Sequence, residues 1–256
     1  MALPRAGKHP QRGNVEIGMR VEIWSDVVCP WCYIGKRRFE SALARFPHAG
    51  EVEVRWRSFE LDPSAPATGD VDLVGHLAAK YGVSRDEAAA MNERMTVTAA
   101  GEGLAFRLDI ARRGRTFDAH RLLHLAADHG LQDDLKERLL AAYQTRGEPI
   151  ADHEVLTRAA VTAGLDEAEV AGVLAGDAYA EAVRGDEDEA RRLAVRGVPF
   201  FVFDRRYAVA GAQQADVLLE VLQKTWDERT PVQVVAGSGT DAADACGPEG
   251  CEAPAG

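Results

Sequence analysis

"VEIWSDVVCPWCYIGKRRFE", residues Val21 to Glu40, places two cysteines two positions apart between an apolar run and a run of basic helix formers. The residues before the pair, "RVEIWS" (Arg20 to Ser25), are apolar and β-branched and read as a strand. After it, Ile34, Phe39, Leu43 and Phe46 give a helix over Trp31 to Phe46 with one buried face. Downstream, "EVEVRWRSF" (Glu51 to Phe59) alternates at period two, with Val52, Val54 and Trp56 on one side. The result is a strand, helix, strand unit, and its crossover helix requires the two strands to be parallel. Cys29 then precedes the first helical turn and Cys32 follows one turn later.

This placement has chemical consequences. A thiol attacks as its thiolate, and unpaired backbone N–H groups with the positive end of the helix dipole stabilise negative sulfur. Pro30 suits the first helical position, where no N–H is needed. Cys29 is therefore expected as a nucleophile with a pKa lowered into the range of about 3.5 to 7.5. Cys32 is expected as the resolving thiol that attacks a mixed disulfide on Cys29. Two other readings of the pair stay open. One is a zinc site of Cys29, Cys32, Cys246 and Cys251, although zinc knuckles favour Gly-containing turns over a strand-to-helix junction. The other is an inert structural disulfide, which the size of the chain makes unnecessary. With 256 residues, 46% of them hydrophobic, it can bury a core without staples.

A net charge of -11 argues against nucleic acid or an anionic membrane as partner, since both call for clustered positive charge. No apolar run approaches the roughly 18 residues of a membrane span, and the start "MALPRAGKHPQRG" is not followed by a secretory h-region. A cytoplasmic protein is expected, in which four cysteines serve catalysis or metal binding more often than structure. Residues 1–19 read as a disordered leader, with Met19 as a candidate start. Residues 63–195 carry almost only helical signals. Ser84 to Glu87 form a capping box, and Thr116 opens a helix with Leu122, Leu123 and Leu125 as its stripe. Gly130, Gly147 and Gly164 read as stops. Strands return at "VPFFVF" (Val198 to Phe203) and "YAVA" (Tyr207 to Ala210), and a last helix runs from Gln214 to Trp226. Residues 227–256, poor in large apolar side chains, read as a flexible tail.

The order β-α-β, helical insert, β-β-α resembles the thioredoxin superfamily, and within it the DsbA-like branch, nearest to the FrnE-like oxidoreductases. The residues carrying the resemblance are "SDVVCPWCYIG" (Ser25 to Gly35), "RTFDAHRLLHLA" (Arg115 to Ala126), "RGVPFFVFDRRYAVAGAQ" (Arg196 to Gln213) and "CGPEGC" (Cys246 to Cys251). Arg115 departs from the family pattern, which carries Asn there. The resemblance implies an α/β thioredoxin-like domain of residues 20–62 and 196–226, interrupted by an all-α insert of residues 63–195. It implies a thiol-disulfide oxidoreductase that needs no cofactor or metal. Its partners would be protein or small-molecule thiols and disulfides, with glutathione a candidate. Val198-Pro199 would be cis, beside the dithiol, presenting backbone to an extended substrate. Cys246 and Cys251 would be a second redox pair delivered by the tail. Glutathione-dependent isomerases and kappa-class transferases resemble the same fold but typically carry Ser at the position of Cys29.

Other residues divide between chemistry and packing. Trp31 is expected as a partly exposed apolar platform, Asp26 as a loop hydrogen-bonder or a proton acceptor for Cys32, and His120 and Arg121 as residues facing the cleft. His124 and His129 are expected to pack locally or lie on helix surfaces. Lys36, Arg37 and Arg38 are expected in solvent.

Overall fold

The computed structural model describes residues 18–66 and 72–229. The leader before Gly18 and the tail that carries Cys246 and Cys251 lie outside the described residues. Strand β1 (Met19–Ser25) leads into helix α1 (Pro30–Arg45) and strand β2 (Val52–Ser58). Seven helices follow: α2 (Leu73–Tyr81), α3 (Arg85–Gly101), α4 (Phe117–Asp128), α5 (Gln132–Arg146), α6 (His153–Ala163), α7 (Glu167–Ala175) and α8 (Ala180–Arg192). Strands β3 (Phe200–Phe203) and β4 (Tyr207–Ala210) and helix α9 (Ala215–Asp227) complete the described chain. Met19, grouped with the leader on sequence grounds, is the first residue of β1 and fully buried, because it pairs with Val52 at the sheet end.

The sheet has the order β2-β1-β3-β4, with β1 parallel to β2 and antiparallel to β3. Its two faces differ in chemistry because β1 alternates. Val21 and Ile23 point with Phe201 and Phe203 into an apolar layer closed by Phe39 and Leu43 of α1 and Leu218 and Leu222 of α9. Glu22 and Trp24 point the other way, toward α8. There Arg57 pairs with both Glu22 and Asp186, and Trp24 donates its indole N–H to the Asp186 carbonyl at 2.9 Å. The sheet thus meets α8 of the helical block through polar and charged groups on one face and packs on α1 and α9 through apolar ones on the other.

The helices begin and end where the local chemistry dictates. Ser84 and Glu87 form the expected reciprocal capping box of α3. Asp72 caps α2, a helix that the sequence reading did not separate from its neighbours, by accepting from the Gly75 N–H. At the end of α5, Gly147 adopts φ 64°, and a Cβ there would also meet Ile110 at 2.6 Å. A largely apolar core of Leu122, Leu135, Leu139, Leu156 and Val170 binds α4 to α7 together. The β3–β4 turn uses positive φ at both Asp204 and Arg205, which matches strand twist, and the Arg20 N–H holds the Asp204 carboxylate at 2.7 Å.

The basic run after the cysteines is not in solvent. Helix α1 is covered by α9 on one side and by α5 on another, so Lys36 is 1% exposed. It pairs with Glu40, with Asp133 at 3.3 Å and with Glu137 at 3.0 Å. Arg37 joins Glu40 and Glu137, and Arg38 donates to Glu102 and to the Ala212 carbonyl, both at 2.6 Å. Although burial opposes it, the Lys36 charge and hydrogen bonds from Arg37 and Tyr33 hold the Glu137 carboxyl down at about 2. Replacing Lys36 by Met should destabilise the protein by about 3 kcal/mol at neutral pH, since three carboxylates lose their central cation. The ordinary pKa of Glu137 is 4.5, so its contribution is present above that value and disappears as pH falls toward about 2. Urea unfolding of both proteins should show the gap narrowing over that window.

Candidate active site

Strand β1 ends at Ser25, and the loop Asp26-Val27-Val28 delivers Cys29 to the start of α1 as its N-cap, in an extended conformation at φ -84° and ψ 115°. Pro30 is the first helical residue, as expected. The Cys29 N–H donates to the Asp26 carbonyl at 3.3 Å, and the Cys32 N–H to the Cys29 carbonyl at 3.0 Å. Both cysteines are free thiols, Cys29 4% exposed and Cys32 wholly buried. The Val198-Pro199 peptide is cis, and the Cys29 thiol faces the Val198 carbonyl at 3.4 Å. Pro199 itself packs one turn further along: a Cβ at Gly35 would come within 2.8 Å of its ring. Its carbonyl is taken by the Gly211 N–H at 2.8 Å.

The two sulfurs titrate as a pair rather than as the lone activated Cys29 that the helix-start argument expects. Hydrogen bonding to Cys32, with burial and the charge on its neighbour, raises Cys29 well above an ordinary thiol. Burial also opposes ionisation of Cys32, yet the Cys29 hydrogen bond, the Lys136 charge and the Ser25 hydroxyl lower it. One proton therefore leaves the pair at a lowered pKa, with Cys32 favoured as its source, and the second is held tightly. Access favours the other sulfur, because Cys29 lines the cleft and Cys32 does not.

Behind the dithiol lies a buried charged group that sequence reasoning found only in part. Asp26 is fully buried, with Oδ2 accepting the Leu61 N–H at 2.8 Å and Oδ1 3.4 Å from His120 Nε2, an ion-pair distance. Burial would raise its carboxyl, but His120, the Leu61 amide and Lys136 hold it below the usual range. His120, expected on the cleft wall, reaches the site from behind, because α4 packs under the β1–α1 loop. Arg121 turns away from the cleft and donates to the carbonyls of Val173, Gly176 and Ala178, capping α7. His124 packs on Ser58 and Asp186, and His129 pairs with Glu169 at the surface. Lys136, from α5, had no signal in the sequence beyond a lysine at a core-facing helical position. It is wholly buried, 3.4 Å from the Ser25 carbonyl, and burial brings its pKa down to about 8.

In front of Cys29 opens a cleft of about 380 Å³. Trp31, 41% exposed, and Val198 form its floor beside the sulfur. The facing wall comes from Leu73, Leu77, Met91 and Met95 of α2 and α3, with His76, Lys80 and the Arg113–Asp62 pair as its polar groups. The cleft joins the dithiol to the helical block and is largely apolar near the sulfur.

Replacing Lys136 by Met tests the buried charge in two ways. The shared thiolate loses a cation, so the midpoint of thiol alkylation against pH should move upward. Stability should change in the opposite sense. The Lys136 pKa falls from 10.5 to about 8 on folding, so below about 8 the native state bears the full cost of burying the charge, and the cost fades as pH rises to 10.5. The variant should be the more stable protein at neutral pH, with the difference shrinking across that range in chemical unfolding.

Comparison with known proteins agrees with this geometry. A family model described as a DSBA-like thioredoxin domain matches residues 20–223. The crystal structure of the "probable DsbA oxidoreductase SCO1869" of Streptomyces coelicolor is 48% identical, covers 93% of this chain and 100% of its own, and superposes with a TM-score of 0.82. The cytosolic disulfide reductase DsbM of Pseudomonas aeruginosa, solved with GSH, shares the fold at 18% identity and TM-score 0.58, over 81% of this chain and 99% of that one. An uncharacterised Bacillus subtilis protein, YwbO, is 27% identical over 200 residues, 78% of this chain and 93% of its own. With its α/β fold, helical insert and thiol pair at the start of α1, this chain belongs to the DsbA-like thioredoxin family.

Proposed function

We propose that the protein is a thiol-disulfide oxidoreductase that works through the dithiol Cys29-Pro30-Trp31-Cys32, with Cys29 as nucleophile and Cys32 as resolver. The observation that carries this reading is the placement of Cys29: at a helix start, on an apolar cleft, with its sulfur against the Val198 carbonyl. In the reducing direction the Cys29 thiolate attacks one sulfur of a client disulfide, whose other sulfur leaves as a thiolate. Cys32 then attacks Cys29, the Cys29–client bond breaks, and the second client thiol is released while the protein holds the Cys29–Cys32 disulfide. Run backward, the same steps oxidise a client dithiol. Trp31 offers a face for the apolar part of the client, and the Val198-Pro199 segment offers backbone to an extended chain.

Protein or small-molecule thiols and disulfides are the partners in this reading, with glutathione a candidate, and the cytoplasm is the place of action. The tail pair Cys246 and Cys251 is assigned to recycling of the dithiol, since a tethered thiol pair reaches millimolar effective concentration. The tail pair is one of the four stretches behind the FrnE-like placement and supplies two of the four ligands of the zinc reading, and both cysteines lie outside the described residues. The transferase reading typically has Ser where Cys29 stands.

Cys29→Ser should abolish exchange with a model disulfide, while Cys32→Ser should accumulate mixed disulfides on Cys29, read by mass spectrometry of the trapped adducts. Faster alkylation of Cys32 than of Cys29 in the native protein would reverse the roles. Ending the chain after Val235 should leave single-turnover exchange intact and slow multiple turnover with the same reductant. Equal turnover rates would reduce Cys246 and Cys251 to incidental thiols.

A further inference from the structure

When Cys29 attacks a client disulfide, negative charge develops on the client sulfur that leaves, and an apolar cleft does little to stabilise it. The protein provides for its own sulfurs: Cys29 sits at a helix start, and the Lys136 charge and the Ser25 hydroxyl favour the Cys32 thiolate. The client's sulfur is less well served. Val198 turns a carbonyl oxygen toward Cys29 at 3.4 Å, and the wall of Leu73, Leu77, Met91 and Met95 carries no donor. The cations of the cleft are engaged or remote. Arg113 pairs with Asp62, and Lys80 lies exposed over the Tyr81 ring. Burial and the Lys80 charge hold His76 toward its neutral form.

Tyr143 of α5 brings a neutral donor to the same cleft. It is buried, packs with Val27 in the core of the helical block, and also lines the cleft. Asp26 and Arg113, whose charges act on its hydroxyl, line the cleft as well, which places the phenol end of the side chain there. Neither holds it by a hydrogen bond: Asp26 accepts the Leu61 N–H and faces His120, and Arg113 is spent on Asp62. Among the described residues the Tyr143 hydroxyl has no hydrogen-bond partner, although a buried phenol usually finds one. Burial and the Asp26 charge raise its pKa, so it keeps its proton wherever thiols exchange. Two other polar groups line the cleft less favourably. The Asn92 amide nitrogen is enclosed, and Thr116, the N-cap of α4, carries an alcohol, a weaker donor than a phenol.

We propose that the Tyr143 hydroxyl donates a hydrogen bond to the client sulfur that leaves as Cys29 attacks, and so favours clients whose leaving thiol is basic. The inference rests on the exchange reading above. In-line attack puts the leaving sulfur roughly 4 Å beyond Cys29, two sulfur–sulfur bond lengths, so it stays within a cleft of about 380 Å³. The Cys29–client bond forms, the client's own S–S bond breaks, and the electron pair of that bond goes to the leaving sulfur. Cys29 is oxidised to the mixed disulfide, and the leaving sulfur is reduced to a thiolate. Tyr143 keeps its proton throughout, and the thiolate takes one from water after release. Run backward, the same bond steadies an entering client thiolate. A basic alkyl thiolate concentrates its charge and accepts a strong hydrogen bond, whereas an acidic aryl thiolate spreads its charge into the ring. Tyr143 is thus a catalytic residue for the first exchange step, tuned to alkyl thiols such as the cysteines of peptides and proteins.

The test uses full-length protein carrying Cys32→Ser, Cys246→Ser and Cys251→Ser, so that Cys29 is its one thiol and each molecule attacks once. Rates of adduct formation are read by mass spectrometry at neutral pH with hydroxyethyl disulfide, whose leaving thiol is alkyl, and with dithionitrobenzoate, whose leaving thiol is aryl. Each rate is divided by that of alkylation with iodoacetamide, which corrects for any change in the Cys29 thiolate. Tyr143→Phe, which keeps the ring, should slow the alkyl reaction about tenfold and the aryl reaction less than about twofold. Tyr143→Met takes its place if the first variant does not fold, with the same split expected. Losses that are absent, equal or larger for the aryl disulfide would overturn the role of Tyr143 while leaving the exchange reading intact. So would the split appearing in Thr116→Val instead. A parent that forms no adduct at Cys29 with either disulfide would overturn both.

Discussion

The antiparallel pairing of β1 with β3 is the constraint on which the site depends. Trp24 stands opposite Phe200, so the residues that end β1 and those that precede β3 are held at the same end of the two central strands although the helical block separates them in the chain. The short overlap is fixed by what it buries, since Phe201 and Phe203 fill one layer while Val202 joins Trp24 in the other. A slip by one residue would exchange the two sets and place aromatic rings on the charged side. With the register fixed, the chain before Phe200 can only run alongside the start of α1, and the Val198 carbonyl meets the Cys29 sulfur.

Much of this framework was legible in the sequence because its signals are local. Alternation in β2, the apolar stripe of α1, the capping box at Ser84 and the stop at Gly147 each follow from a few adjacent residues, and the structure places the elements within a few positions of those signals. The dithiol and its cis proline were legible through their spacing and family pattern. What was not legible depends on partners far away in the chain. Lys36 reads as a solvated lysine because nothing near it reveals that α5 will bring Asp133 and Glu137 against α1. Lys136 was invisible for the same reason, and His120 was assigned to the wrong side of the dithiol because a helical position gives a face and not the element packed against it.

The electrostatics of the site show how a local argument can be right in kind and incomplete in detail. A helix start does favour negative sulfur, but here two sulfurs, a buried lysine and a buried aspartate share one enclosed space. In such a space a charge belongs to the group as a whole, and moving it between sulfurs costs less than bringing a second one in. That is a useful property for a residue pair that must present one thiolate to a client and another to its own partner.

The close approach of Pro199 to Gly35 makes the distance between a sulfur and a strand depend on a missing methyl group. Any side chain at position 35 would act as a wedge between α1 and the segment that precedes β3, opening the seam against which a client is docked. The chemistry of the cysteines would be untouched, yet the width of the slot beside them would change. Position 35 is thus a mechanical dial on client fit, one that natural variation or design could turn without altering a titrating group.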